Sequence, residues 1–182
     1  TAGGIVGVNN NGKTVENCHV LSGTVKSENA DGYDGHAGGI CGSSYGGTIK
    51  GCSNGADVSS EASRLETAAG IVGRPVDYND VSVQIIECSN TGDINGSCAG
   101  GISGADLTST HANISLCYNE GNITGNVAGG IAADGSIYAT DKIINCYNAG
   151  EIKAVGTEAK AGGIVGSHSN SSIQNCHNYG KV

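Results

Sequence analysis

The chain contains no Phe, no Trp and no Met, and only one Pro. With no large rings to fill a wide interior, its core has to be narrow and built from Ile, Val, Ala and Cys. No apolar run approaches the length that spans a bilayer, which argues against membrane insertion. Basic residues are also scarce: 9 Lys and Arg stand against 17 Asp and Glu, for a net charge of −8. Such a surface repels phosphate backbones and anionic lipid, so nucleic acid is a poor partner. Runs of ten or more helix formers are missing as well, because 32 Gly interrupt short Ile and Val segments.

What the chain has is one repeated unit. Its first half reads Ala2-Gly3-Gly4-Ile5-Val6-Gly7, Ala37-Gly38-Gly39-Ile40-Cys41-Gly42, Ala69-Gly70-Ile71-Val72-Gly73, Ala99-Gly100-Gly101-Ile102-Ser103-Gly104, Ala128-Gly129-Gly130-Ile131-Ala132-Ala133 and Ala161-Gly162-Gly163-Ile164-Val165-Gly166. The third copy is one Gly short and the fifth ends in Ala. The second half centres on Cys18, Cys52, Cys88, Cys117, Cys146 and Cys176, each preceded at three residues by Val15, Ile49, Ile85, Ile114, Ile143 or Ile173. Two residues after the Cys stand Asn54, Asn90, Asn119, Asn148 and Asn178, with Val20 in the first copy. Val25, Val58, Ile94, Ile123, Ile152 and Val182 close the units.

A period near 30 residues marks a solenoid, and strands of three to five residues between Gly and Asn turns are the only regular structure these units can form. One unit cannot bury its apolar side chains alone, so the copies stack, each strand pairing in parallel with its counterpart one rung along. The expected fold is all-β: a parallel β-helix, right-handed by analogy with parallel crossovers, of about six rungs forming a single domain over residues 1–182. At roughly 4.8 Å per strand, the rod is on the order of 29 Å long.

Stacking turns repeated positions into ladders. The Ile/Val and Cys ladders belong inside, with a bend between them at Asn17, Gly51, Asn145 and Asn175, since residues three apart face opposite sides of a regular strand. The Asn ladder is expected in a turn, at positive φ, with its amides bonded to backbone or to the next Asn. His19, Ser53, Ser89, Tyr118, Tyr147 and His177 point outward. The six ladder Cys are read as free buried thiols, because a parallel ladder does not offer disulfide geometry. Cys41 and Cys98, off the ladder in different rungs, are beyond disulfide reach of one another. The two Cys-His neighbours sit at opposite ends of the array, so no metal and no cofactor is expected.

With Ile at the leucine place, the Gly-Ile-Val-Gly blocks resemble the GLUG repeat, named for Gly-Leu-apolar-Gly, over essentially the whole chain. That resemblance implies a bacterial surface protein, since such repeats lie outside the catalytic domain of IgA-cleaving metallopeptidases and in adhesin-like proteins. It implies an extracellular, cell-surface setting and no activity of its own. The metallopeptidase motif H-E-x-x-H is absent, none of His19, His36, His111, His168 or His177 being followed by Glu. Both ends lack a polar cap, so the chain reads as an excerpt of a longer exported protein, with edges open to end-to-end self-association.

Two catalytic patterns match in full. Gly7-Val8-Asn9-Asn10-Asn11-Gly12-Lys13-Thr14 fits the phosphate loop, but that loop needs a helix beginning at the Lys, and Val15-Glu16-Asn17-Cys18 is the repeat's own strand. Gly42-Ser43-Ser44-Tyr45-Gly46 fits the nucleophile elbow and likewise lacks its helix. A stronger enzyme candidate is the pair Asp57 and Asp93, which stacking places one rung apart, near the separation of retaining glycosidase carboxylates. It competes with a solvated outer face, and no basic residue joins it, Arg64 and Arg74 being assigned to loops.

The long insertions, 26–36, 59–68 and 74–82, are expected to emerge as loops. The first carries Glu28, Asp31 and Asp34 without the spacing of a calcium loop. The third offers Asp77, Tyr78 and Asp80 as ligand contacts, and stacked Tyr118 and Tyr147 form a second patch suited to a sugar ring or a partner side chain. Regular Thr ladders, which an ice-binding face requires, are missing. The expected function is a non-catalytic repeat module of a bacterial surface protein, a rigid spacer or an adhesion surface for glycan or protein. A carbohydrate-active β-helix using its acidic face and a self-assembling segment are the alternatives.

Overall fold

A computed structural model describes residues 1–29, 34–62, 66–104, 112–134, 142–168, 170 and 172–182. The chain is a parallel β-helix: among the described residues there is no helix, and every strand pair is parallel and joins one repeat unit to the next. The strands fall into five sheets that run along the rod.

The first sheet stacks Ala2–Gly3, Gly35–Gly38, Glu66–Ala69, Cys98–Gly100, Val127–Gly129 and Lys160–Gly162. The second carries Val6–Asn9, Cys41–Tyr45 and Val72–Val76, linked through bridges at Ser103 to Ala132–Asp134 and Val165–Ser167. The third stacks the isoleucine strands, from Thr14–Glu16 to Ser172–Gln174. The fourth stacks the two-residue strands His19–Val20, Ser53–Asn54, Ser89–Asn90, Tyr118–Asn119, Tyr147–Asn148 and His177–Asn178. The fifth runs from Thr24–Asn29 through Asp57–Ala62 to Ile152–Ala154. Register is strict: Ile49 pairs with Ile85, Ile85 with Ile114, and Ile114 with Ile143.

Two apolar columns fill the rod. The larger joins the Ile of each Gly-Gly-Ile block to the isoleucine strands and the Cys ladder; the smaller packs Ala37, Ala68, Ala99 and Ala128 against Val58, Ile94, Ile123 and Ile152. The Asn ladder runs between them, lying against the second Gly of each block: a Cβ on Gly101 or Gly130 would fall 2.5 Å from Cγ of Asn119 or Asn148. The closing Gly meets a different neighbour, for a Cβ on Gly42 or Gly73 would fall 2.6 Å from the carbonyl oxygen of Ala2 or Ala37. Within a block, a Cβ on Gly38 would meet the Cys41 carbonyl oxygen, so the chain doubles back closely there, and where Ala69 and Ala133 replace a Gly the fold makes room for a methyl group.

Three expectations are corrected. The Asn side chains do not sit at a positive-φ turn; they occupy strands, and Asn54, Asn90, Asn119 and Asn148 are almost fully buried. Each amide donates both to the carbonyl two residues on and to the next Asn Oδ1, as in Asn90 to Gly92 O (2.7 Å) and to Asn119 Oδ1 (2.7 Å). Positive φ falls one residue before every ladder Cys, at Asn17, Gly51, Glu87, Leu116, Asn145 and Asn175, so the expected bend is present in all six units. The bend is closed by the thiol, which donates to the carbonyl two residues earlier at 3.2 Å in Cys88 and Cys117.

The insertions are the second correction. Lys26 to Asn29 and Ser59 to Ala62 are not loops but an extension of the fifth sheet, paired from Asp57↔Thr24 through Ala62↔Asn29. Arg74 stands in the strand Val72–Val76 rather than in a loop, while Asp31 and Arg64 lie outside the described residues. Third, the shortened third block is not a deletion: Ala69 pairs with Gly38 and Gly100, so the copy reads Ala68-Ala69-Gly70-Ile71 and one Ala replaces a Gly.

Candidate functional site

Both catalytic patterns are built as ordinary repeat structure. Asn11 and Gly12 take positive φ, making a tight turn between Val6–Asn9 and the strand Thr14–Glu16, and Asn9 Nδ2 donates to Lys13 O at 3.0 Å. With no helix N-terminus, no cradle of amides faces outward. Ser44 is fully buried in the strand Cys41–Tyr45 and donates to Gly46 O at 3.0 Å.

Asp57 and Asp93 do stand in adjacent rungs, because Val58 pairs with Ile94. Their carboxylates hold backbone. Asp57 Oδ1 accepts from Asp93 N–H at 3.1 Å, and Asp93 Oδ1 accepts from Asn122 N–H at 2.9 Å and from its amide at 3.1 Å. Asn122 Oδ1 accepts from Glu151 N–H at 3.2 Å, and Glu151 pairs with Lys181 at 3.5 Å. The acidic face is a staircase in which each side chain caps the amide of the rung above. Beside it, Lys26 bridges Glu28 (2.8 Å) and Glu61 (2.9 Å), bonds that raise the pKa of Lys26 and lower that of Glu28.

Asp77, Tyr78 and Asp80 lie at the tip of a hairpin. Tyr78 and Val81 exchange backbone bonds of 3.1 Å around Asn79 and Asp80, both at positive φ.

No disulfide joins any of the eight Cys. Burial pushes the Cys41 thiol up to about 11 and lifts Cys117 well above an ordinary thiol, while hydrogen bonds from neighbouring ladder thiols lower Cys88 and Cys146. Cys41 belongs to the second sheet and Cys98 to the first, so they share no ladder. Among the described residues, no group of three or more His, Cys, Asp or Glu could hold a metal ion, and no helix is long and apolar enough to cross a membrane.

The fourth sheet presents the most developed surface. Tyr118 and Tyr147 are in register, with ring centroids 5.0 Å apart and planes 2° from parallel. Tyr179 extends the row, its ring edge-on to Tyr147 at 6.2 Å and 6.3 Å from His177. Burial and the nearby Glu120 charge raise the Tyr147 pKa. On the other side of Tyr118 the ladder shrinks to Ser89 and Ser53, leaving a shallow cavity of about 250 Å³ walled by Tyr118 and Leu21, with Thr91 on its floor. His19 Nδ1 lies 2.8 Å from Ser53 Oγ at the far end. Tyr179, Leu21 and the serine floor were not among the sequence candidates. The signal for the floor was present all the same: two small residues interrupt a ladder position otherwise filled by rings.

Against known proteins, no family model matches the chain, and no curated protein or solved structure is significantly similar to it.

Proposed function

We propose that the chain is a non-catalytic repeat module of a bacterial cell-surface protein, a rigid spacer whose fourth-sheet face is an adhesion surface for extracellular glycan or protein. The observation that carries this reading is the aromatic row on the fourth sheet: half-buried Tyr118 and Tyr147 stack in register, and Tyr179, just past the strand His177–Asn178, packs edge-on to Tyr147 and is 75% exposed. Stacked rings on neighbouring strands stabilise the sheet itself, and the same rings give a recognition surface amphipathic area at low conformational cost. The engagement of Asp57, Asp93 and Asn122 in rung-to-rung bonds supports a non-catalytic role. The GLUG-like blocks support the surface setting.

Binding to glycan arrays and to immobilised matrix proteins tests the proposal. Capture of either class that falls at least tenfold in a Tyr118→Ser, Tyr147→Ser double variant is expected. No binding to either class, or polysaccharide turnover lost in Asp93→Asn, overturns it.

A further inference from the structure

The cavity beside Tyr118 has the chemistry of a sugar site. A pyranose has an apolar C–H face and a hydroxyl rim, so it needs a flat aromatic wall set against a polar floor. Tyr118 supplies the wall. One of its ring faces is covered by Tyr147, stacked at 5.0 Å; the other borders the cavity, because Ser89 occupies the corresponding place one rung along. Its other polar lining includes Ser53, whose hydroxyl also meets His19 Nδ1 at 2.8 Å, Ser89 and Thr91, and Leu21, 85% exposed, also lines it. Thr91 Oγ1 donates to Asn54 O at 3.3 Å, which leaves its lone pairs to accept from a ligand hydroxyl. The residues lining the cavity carry no charge, and the net charge of −8 repels acidic sugars.

We propose that this groove binds one neutral hexopyranose unit of an extracellular glycan, stacked on the free face of Tyr118 with its hydroxyls on the serine and threonine floor. The proposal rests on the adhesion reading above and narrows it to one ligand class and one place. A protein side chain is the less favoured occupant, because a pocket that anchors a partner residue is deep and apolar, while this one is shallow and floored by hydroxyls.

Ser89→Tyr is the decisive variant. Its ring would stack on Tyr118 as Tyr147 does, filling the groove at a position where the fold already accepts Tyr in two neighbouring rungs. Titration calorimetry with neutral gluco-, galacto-, manno- and N-acetylglucosamine tetrasaccharides is expected to show binding of at least one, weakened about tenfold or more in Ser89→Tyr and in Tyr118→Ser, with circular dichroism unchanged. Sugar binding that survives Ser89→Tyr overturns the groove assignment and leaves the adhesion reading standing. Failure of all four sugars overturns the ligand class. If a matrix protein is bound instead and lost in Ser89→Tyr, the groove is a protein site and the sugar proposal falls; if neither glycan nor protein binds, the adhesion reading falls with it.

Discussion

Individual side chains in this protein are chosen for what lies one rung away. Asn119 receives an amide bond from Asn90, donates one to Asn148 Oδ1, and donates another to Gly121 O, all inside the rod. Replacing it with Leu strands those partners without solvent, so Asn119→Leu should cost about 2–4 kcal/mol in urea denaturation. The exposed staircase is worth less: Asp93→Asn keeps an acceptor oxygen over Asn122 and should change stability by under about 0.5 kcal/mol. Leu116 sits at φ 56° with its side chain 51% exposed, where its apolar bulk gains little and its Cβ is strained. Leu116→Asn, matching Asn145 one rung along, should therefore stabilise by about 1 kcal/mol. For Tyr147, burial raises the folded pKa above the ordinary 10, so the folded state holds its proton longer than the unfolded chain. Its contribution is complete below pH 10 and is lost as pH rises through the folded value. In a titration followed by tyrosinate absorbance, the highest-titrating fraction should be reduced in Tyr147→Phe.

The element that defines the unit is the doubled-back Ala-Gly-Gly-Ile block. Its glycines are set by close approach, to the Asn side chain in one case and to a carbonyl oxygen in the other. Gly101→Ala should accordingly be far more damaging than Gly7→Ala, since a Cβ on Gly7 meets nothing within 4 Å. Thermal melts of the pair check this, and equal losses would show that the glycines act through chain entropy instead. The blocks and the strand alternation were legible from the residues because six copies vary independently around the same constraint. The extended strands Thr24–Asn29 and Asp57–Ala62 were not, because their pairing comes from two insertions matching each other rather than from the repeat.

As a whole molecule the rod is protected in its middle and open at its ends. In one Ile ladder, Ile5 is 45% exposed while Ile40, Ile71, Ile102 and Ile131 are fully buried. Amide exchange should be slowest in the central rungs and fastest in the first and last, as expected where each rung is stabilised only by its neighbours. Thiol reactivity should follow the burial of each side chain. Cys18, Cys98 and Cys176 are half-buried and should react with an aromatic disulfide reagent in the native protein, whereas Cys41, Cys52, Cys88, Cys117 and Cys146 should react only after denaturation.

The repeat by itself determined the class of fold, the parallel register, the two apolar ladders and the bend before each Cys. Those properties follow from positions that recur, since stacking forces identical positions into contact. Which way the Asn ladder faces depended on a partner elsewhere in the rung, the glycine that leaves room for its amide. Tertiary structure alone also decided that the acidic pair is consumed in capping amides, and that Tyr118 has one covered and one open face. That open face arises where neighbouring copies differ, Ser89 against Tyr147, and a difference between rungs has a shape only once the rungs are stacked.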